Sequence, residues 1–171
     1  MRVADYIAKF LKSKKVDSIF MLTGYGAMYM NDAIKVNNIS HIAPRNEAAA
    51  PVMGIGYSRV KNQIGVVCVT AGPGATNALP GLAEAYVESV PLLILSGQVN
   101  RKFTSSSNNY NLRTYGTAEI NIIDFVKNHT KYSSFVDDPK IIKYELEKAY
   151  HFCVEGRPGP VWLDIPLDVQ N

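Results

Sequence analysis

The chain of 171 residues carries a net charge of only +3, with 47% hydrophobic and 19% charged residues. This length fits one domain that can bury roughly 70% of its unfolded surface without a disulfide or metal. The small charge gives no reason to expect a nucleic-acid partner, and no apolar run approaches the ~20 residues that cross a bilayer. The two cysteines and three histidines are scattered, so we expect buried thiols, no metal site and a cytoplasmic protein.

Helical and strand-like segments alternate along the whole chain. In the first part of the chain the pattern predicts a helix over about residues 2–14, a strand over 16–22, a helix to Val36, a strand over 39–44 and a helix from Glu47. The middle part has a strand over 64–70, a helix beyond Gly74, a strand over 91–96 and a mobile polar loop over 100–111. The last part has a short helix over 119–127, a strand over 131–136, a helix from Asp138 to Gly156 and a strand over 161–165. About six strands alternating with helices predict one α/β domain over residues 1–171. Its sheet is expected to be doubly wound, with three layers and mainly parallel strands.

Two helix starts have recognisable chemistry. Asn46 can cap the helix that begins at Glu47, because an Asn side chain accepts hydrogen bonds from the free amides of a first turn. Asp138 can cap a later helix that has Pro139 at its first position. In the helix beyond Gly74, one stripe is expected to hold the apolar residues Leu79, Leu82, Ala83, Tyr86 and Val87.

Four breaks follow four predicted strands, and in a parallel sheet they meet at one edge. They are Gly24 with Gly26, Glu47, Gly72–Gly74, and Gly97 with Gln98. Open α/β sheets bind ligands at this edge, and glycines let backbone approach a ligand closely. The pattern therefore predicts a pocket of small residues with one ionisable group, Glu47.

Other interpretations of these residues are weaker or remain open. Glu47 can also be an ordinary first-turn acid that stabilises the helix dipole. A dinucleotide-binding GxGxxG motif after Gly24 would need glycine where Tyr29 stands, and neither glycine-rich break continues into a phosphate-binding Gly-Lys-Ser/Thr sequence.

Much of the sequence resembles the thiamin-diphosphate enzymes of the acetolactate synthase type. The resemblance is carried by the segments Phe20–Ile34, Arg45–Arg59, Thr70–Val99 and Gly156–Val169. The segments look like that family's N-terminal, pyrimidine-binding domain, and the resemblance implies the same α/β fold as the pattern above.

The resemblance implies a catalytic role for Glu47. The matching glutamate of such enzymes hydrogen-bonds N1′ of the cofactor's aminopyrimidine, which promotes loss of the proton from the thiazolium C2. Assistance of this kind is typically worth ~10²–10⁴-fold in rate. The positions that match cofactor-binding residues are Gly24, Tyr25, Glu47, Thr70, Pro73, Gly74 and Asn77, with Gln98 in a more distant pocket.

The resemblance also implies partners. A 2-keto acid would be the substrate, decarboxylated with or without carboligation. Mg²⁺ would be held only through a diphosphate-binding domain that a second subunit contributes, and a full-length protein of this type can also carry FAD. The isolated chain is expected to be inactive. A homo-oligomer is expected, with self-association through the helix starting near Asn77, where Tyr86 and Val87 would contact a partner.

Two alternatives stay open. The chain can be the α subunit of a two-chain 2-keto-acid decarboxylase, or a non-catalytic binding domain with this fold. Thr117–Glu119 also stands where acetolactate synthases carry Phe-Gln-Glu, preceded by a longer loop. The second-substrate pocket is therefore expected to differ, and a related lyase or decarboxylase acting on another keto acid is a further alternative.

Overall fold

Six parallel strands form one sheet in the computed structural model, which describes residues 1–107 and 111–171. The strands are β1 (Ser18–Met21), β2 (Ser40–Ile42), β3 (Gly65–Val69), β4 (Leu92–Gln98), β5 (Tyr132–Phe135) and β6 (Pro160–Pro166). Their order across the sheet is β2-β1-β3-β4-β6-β5, and each neighbouring pair is parallel. The predicted doubly wound α/β fold is confirmed.

Helices cover both faces of the sheet. They are α1 (Val3–Ser13), α2 (Met28–Val36), α3 (Ala49–Lys61), α4 (Pro73–Thr76), α5 (Leu79–Val87), α6 (Ile122–Val126), α7 (Ile142–Val154) and α8 (Leu167–Gln170). Helices α1, α2, α7 and α8 contribute to one hydrophobic cluster, and α3 to α6 contribute to the other. The described part of the chain thus has three layers.

The buried strands supply both clusters because successive side chains of a strand point to opposite faces. In β3, Val66 and Cys68 belong to the cluster with α1, whereas Val67 and Val69 belong to the cluster with α3. Trp162 of β6 is fully buried on the α3 side. This alternation explains why the central strands have almost uninterrupted apolar sequences.

The strand order changes direction at β1, and this determines where along the sheet the predicted site lies. Strand β1 lies between β2 and β3, so the connections leaving β1 and β2 run to opposite sides of it. The crevice at the carboxyl ends of β1 and β3 is the topological switch point, where open α/β sheets bind ligands. The segments that follow these strands are Leu22–Gly26 and Thr70–Gly74.

Several predicted boundaries were wrong near the site. Helix α3 begins at Ala49 rather than Glu47, which lies in the preceding turn. The predicted cap by Asn46 is also wrong, because α3 has no side-chain cap; Asn46 Oδ1 instead accepts the Ala48 amide at 2.8 Å in the turn before the helix. Beyond Gly72 the predicted single helix is two short ones, interrupted at Asn77.

Strand β4 extends further than its predicted end. Gly97 and Gln98 pair with Ile165 and Pro166 of β6, so they lie inside the strand and not in a break after it. The sequence of β4 turns polar at Ser96 while its backbone continues in the ladder, because β6 continues beside it.

The predicted polar loop begins as two short 3₁₀ turns, Arg101–Phe103 and Ser105–Ser107. Residues 108–110 of this prediction lie outside the described residues. Arg101 is held by Asp168, whose carboxylate accepts from the Arg101 amide at 2.9 Å and from its Nε at 2.8 Å. The short helix predicted from Glu119 begins only at Ile122.

The C-terminal elements are close to prediction. Asp138 accepts the Lys140 amide at 2.9 Å and caps a 3₁₀ turn that leads into α7. Gly156 follows α7 with a φ of 62°, the left-handed conformation that favours glycine at a helix end.

Cys68 and Cys153 are free and buried, as predicted. None of the described helices is long and apolar enough to cross a membrane.

Candidate functional site

The predicted catalytic acid lies beside the glycine hinge. Glu47 Oε2 accepts a hydrogen bond from Asn77 Nδ2 at 3.1 Å. Its other oxygen, Oε1, is 3.4 Å from the point where a Cβ on Gly74 would lie. The Glu47 side chain is half-buried. The carboxylate therefore faces the hinge while remaining open enough to contact a ligand.

Thr70 joins the two loops of the switch point. Its Oγ1 accepts the Gly26 amide at 3.1 Å. A Cβ on Gly24 would lie 2.4 Å from Thr70 Cβ, and one on Gly74 would lie 2.6 Å from Thr70 Cγ2. Glycine is needed at both positions because Thr70 fills the space that a side chain would occupy.

Gly72 makes the sharp turn between β3 and α4. Its φ is 58°, and a Cβ there would lie 2.0 Å from the Ala118 carbonyl oxygen. The left-handed conformation and the close contact each favour glycine. Gly72 thus lets the segment at Ala118 pack directly on the hinge.

The exposed predicted residues lie at the rim of this edge. Tyr25 is 65% exposed in the 3₁₀ turn Tyr25–Ala27, and Pro73 and Asn77 are also exposed. Gly97 of β4 allows this turn to approach, since a Cβ there would lie 2.0 Å from the Gly26 carbonyl oxygen. The sequence-predicted residues Gly24, Glu47, Thr70, Gly74 and Asn77 are brought together by direct contacts.

Gln98 lies in a separate, buried network. Its Nε2 donates to the Ile120 carbonyl at 2.8 Å and to Asp164 Oδ2 at 3.1 Å, and its Oε1 accepts the Val99 amide at 3.0 Å. With these partners Gln98 holds the segment at Ile120 against the sheet. Its predicted place in a more distant pocket stays a prediction, and it lines a cavity of about 240 Å³ with Asp164.

Asp164 is a buried acid that the sequence reasoning missed. Ser96 Oγ donates to its Oδ1 at 2.6 Å, and Trp162 Nε1 donates to Ser96 Oγ at 2.8 Å. Burial raises the pKa of Asp164 to about 7, although the hydrogen bonds from Ser96 and Gln98 lower it. A charged residue inside the apolar sequence of β6 was the available signal.

Gln170 is a second residue that sequence reasoning missed. Its Nε2 donates to the carbonyl oxygens of Gly26 and Ile165, each at 2.7 Å. The side chain is fully buried, and its Oε1 has no hydrogen-bond partner among the described residues. Gln170 therefore holds the Gly26 turn at its carbonyl oxygen, whereas Thr70 holds it at its amide.

The site offers one carboxylate to a ligand and no evident metal centre. Among residues 1–107 and 111–171, no group of three or more His, Cys, Asp or Glu side chains is placed to hold a metal ion. A lone acid beside glycine backbone suits hydrogen bonding to a flat polar ring better than metal coordination.

The sequence is similar to known proteins over almost its whole length. Residues 1–128 match the family described as "Thiamine pyrophosphate enzyme, N-terminal TPP binding domain". The chain is 36% identical over 169 residues to the acetolactate synthase large subunit of Haemophilus influenzae and to the isozyme 3 large subunit of Escherichia coli. It is 33% identical over 169 residues to the chloroplastic acetolactate synthase of Arabidopsis thaliana. These alignments cover 98% of the chain but only 28%, 28% and 24% of the three relatives.

Proposed function

The chain belongs to the thiamine pyrophosphate enzyme family as an N-terminal TPP binding domain, and on this basis we propose that it provides the catalytic glutamate of an acetolactate-synthase-like enzyme acting on 2-keto acids. The observation that carries the proposal is the position of Glu47 against Gly74, with its carboxylate oriented by Asn77. When bound, thiamin diphosphate supplies the electron sink for loss of CO₂ from the keto acid.

The contacts at the switch point fit the flat aminopyrimidine end of the cofactor. Gly24 and Gly74 present backbone without a side chain, and Thr70 fills the space between them. Tyr25, Pro73 and Asn77 would contact the ring or its substituents from the exposed rim. A flat ring can approach such a surface closely because no Cβ intervenes.

Glu47 would hold or donate a proton at a ring nitrogen of the pyrimidine. Asn77 fixes one carboxylate oxygen, so the other would be directed to the ring. This is the arrangement of a general acid–base whose geometry is set by a neighbouring amide. Neither role requires a metal ion at Glu47.

The remaining parts of the assembly would come from elsewhere. Mg²⁺ and the diphosphate would be held by a diphosphate-binding domain of a second subunit, and the complete enzyme can also carry FAD. The exposed side chains of Tyr86 and Val87 on α5 support a subunit interface on this layer. We propose a cytoplasmic homo-oligomer that decarboxylates a 2-keto acid, with or without carboligation.

The decisive experiment replaces Glu47 by Gln in the complete enzyme. We expect thiamin-diphosphate-dependent CO₂ release from 2-keto acids to fall about 10²–10⁴-fold, the usual effect of removing a general acid–base group. Glu147→Gln is the matched control, because Glu147 is an exposed acid on α7, in the layer opposite to α3 and α5. Unchanged CO₂ release in Glu47→Gln would overturn the assigned role.

A further inference from the structure

A cavity of about 600 Å³ adjoins the Glu47 site at Thr70. Its lining includes Tyr25, Thr70, Val99, Phe103, Tyr115 and Gly116. Thr70 borders both this cavity and Gly74, beside which Glu47 lies. A molecule in the cavity would therefore be next to a ring bound at Glu47.

Aromatic and aliphatic groups dominate the wall of this cavity. The rings of Phe103 and Tyr115 are in contact, with centroids 5.9 Å apart and planes inclined at 55°. Tyr25 and the buried Val99 extend the same surface. Among the residues that the structure describes, no charged side chain lines the cavity. Such a wall favours an apolar or aromatic group and gives no cationic partner to a second carboxylate.

The two aromatic side chains extend from backbone segments that are held in place. Phe103 ends the 3₁₀ turn that Arg101 fixes to Asp168. The Tyr115 amide donates to the buried carboxylate of Glu119 at 3.2 Å. A preformed wall binds an apolar group without first paying to order its side chains.

Gly116 allows these two segments to meet. A Cβ there would lie 2.8 Å from the Phe103 carbonyl oxygen and 2.9 Å from Val99 Cγ2. The Lys102 ammonium lies 4.8 Å from the Phe103 ring centroid, a cation–π contact on a residue outside the lining. Gly116 thus packs on the Phe103 backbone, whereas Lys102 contacts the Phe103 ring.

We propose that this cavity binds the side chain of an aromatic 2-keto acid, in preference to the methyl group of pyruvate. The inference rests on the proposed function, because it assumes that a 2-keto acid reacts beside Glu47. It is independent of the role of Glu47 itself, since the cavity wall contains none of that residue's atoms. An aromatic side chain would pack against Phe103 and Tyr115, where a methyl group would leave the cavity unfilled.

The test compares phenylpyruvate with pyruvate in the complete enzyme, with thiamin diphosphate and Mg²⁺ added. We expect kcat/KM for phenylpyruvate to be at least tenfold higher. Phe103→Ala and Tyr115→Ala should each reduce this preference about tenfold, whereas Phe125→Ala, an exposed aromatic on α6 outside the lining, should leave it unchanged. Preference for pyruvate, or a preference unaffected by the two cavity variants, would overturn the inference while leaving the proposed function in place.

A binding measurement separates the inference from catalysis. Phenylacetate keeps the ring and carboxylate but lacks the reactive ketone, so its binding can be followed by saturation-transfer NMR without turnover. We expect phenylacetate to bind the wild-type enzyme and the Glu47→Gln variant, with binding at least fivefold weaker in Phe103→Ala. Acetate should show no comparable binding. If phenylacetate fails to bind, or binds equally well to Phe103→Ala, the aromatic site is refuted whatever the activity of the enzyme.

Discussion

Asn77 donates a hydrogen bond from its Nδ2 to Glu47 Oε2 at 3.1 Å, although 30 residues separate the two in the chain. Glu47 follows β2, and Asn77 follows β3, with β1 between these strands. The contact crosses the topological switch point and holds the carboxylate beside Gly74. Its consequence is that Glu47 is oriented by a neutral donor, which leaves the carboxylate available to a ligand.

Replacing Asn77 by Ala should impair catalysis in the complete enzyme more than folding. A hydrogen bond to a charged group contributes about 1.5–3 kcal/mol, and roughly half of that is expected at this exposed rim, so kcat/KM should fall about three- to tenfold. The measurement is steady-state CO₂ release. Asn121→Ala is the matched control, because Asn121 donates to Asp124 at 2.7 Å in an exposed pair on another element. Equal losses in both variants would contradict the role of Asn77.

The hydroxyl of Thr70 should stabilise the turn at Gly26. Thr70→Val keeps the shape that fits Gly24 and Gly74 but removes the acceptor of the Gly26 amide. We expect the free energy of unfolding to fall by about 1–2 kcal/mol, the cost of leaving a partly buried donor without a partner. Thr70→Ser keeps the hydroxyl and should retain that hydrogen bond. Urea unfolding of both variants checks the prediction, and equal stability of Thr70→Val and wild type would refute it.

The meeting of Gly24, Glu47 and Gly74 could be predicted from strand ends, because the parallel order of the strands places these residues at one edge. The hydrogen-bond partners of the polar side chains inside the strands were harder to predict. Gln98 was placed in a break after β4, yet β6 extends the ladder beside it and turns its amide to Asp164. No local pattern in β4 shows this, because the extension depends on a strand more than 60 residues away.

Helix α5 shows a second limit of sequence patterns. The predicted stripe grouped Leu82 with Ala83, Tyr86 and Val87, but only Leu82 of these four is buried. Gly81 and Ala85 pack inward with Leu82 instead, and a Cβ on Gly81 would lie 2.7 Å from Pro51 Cβ, so the small residues of α5 face α3. Both faces have helical spacing, so choosing the stripe with the larger apolar side chains assigns the wrong face.

Gly72 should tolerate no side chain. Gly72→Ala combines a φ of 58° with a Cβ 2.0 Å from the Ala118 carbonyl oxygen, so the backbone at Ala118 must move. We expect a loss of about 3 kcal/mol or more in the free energy of unfolding. Gly156→Ala is the matched control: its φ is 62°, but no atom lies within 4 Å of the added Cβ. That variant should lose only about 1 kcal/mol, from backbone strain alone, and equal losses in urea unfolding would contradict the steric argument.

The exposed apolar surface of α5 should take part in subunit association. Val87 is 67% exposed and Tyr86 is 43% exposed on the α3–α5 layer. A charge at Val87 would be buried in an interface there, so Val87→Glu should weaken association of the complete enzyme at least tenfold in sedimentation. Val36→Glu is the control, because Val36 is 64% exposed on α2, in the opposite layer. Unchanged association in Val87→Glu would remove this surface from the proposal.

Asp164 should make the stability of the chain fall as pH rises from about 4 to about 7. Burial raises the pKa of this carboxyl to about 7 in the folded chain, whereas an unfolded Asp titrates near pH ~3.9. Between these values the folded state binds more protons than the unfolded state, so raising the pH favours unfolding. Below this window both states are protonated, and above it both are ionised, so the effect of this group levels off at each end. The slope from this group is at most about 1.4 kcal/mol per pH unit.

Urea unfolding of wild type and Asp164→Asn at pH 5 and pH 7 measures this effect. Asn cannot ionise, so the variant should lack the loss in stability that Asp164 contributes over this range. Any change in hydrogen bonding to Ser96 and Gln98 adds a constant to the free energy of unfolding that does not depend on pH. The quantity compared between the two proteins is therefore the change in this free energy from pH 5 to pH 7. Asp124→Asn, an exposed acid paired with Lys127, should keep the wild-type slope. If Asp164→Asn and wild type lose equal stability between the two pH values, Asp164 is ionised throughout and its carboxylate is stabilised by Ser96 and Gln98 more strongly than burial destabilises it.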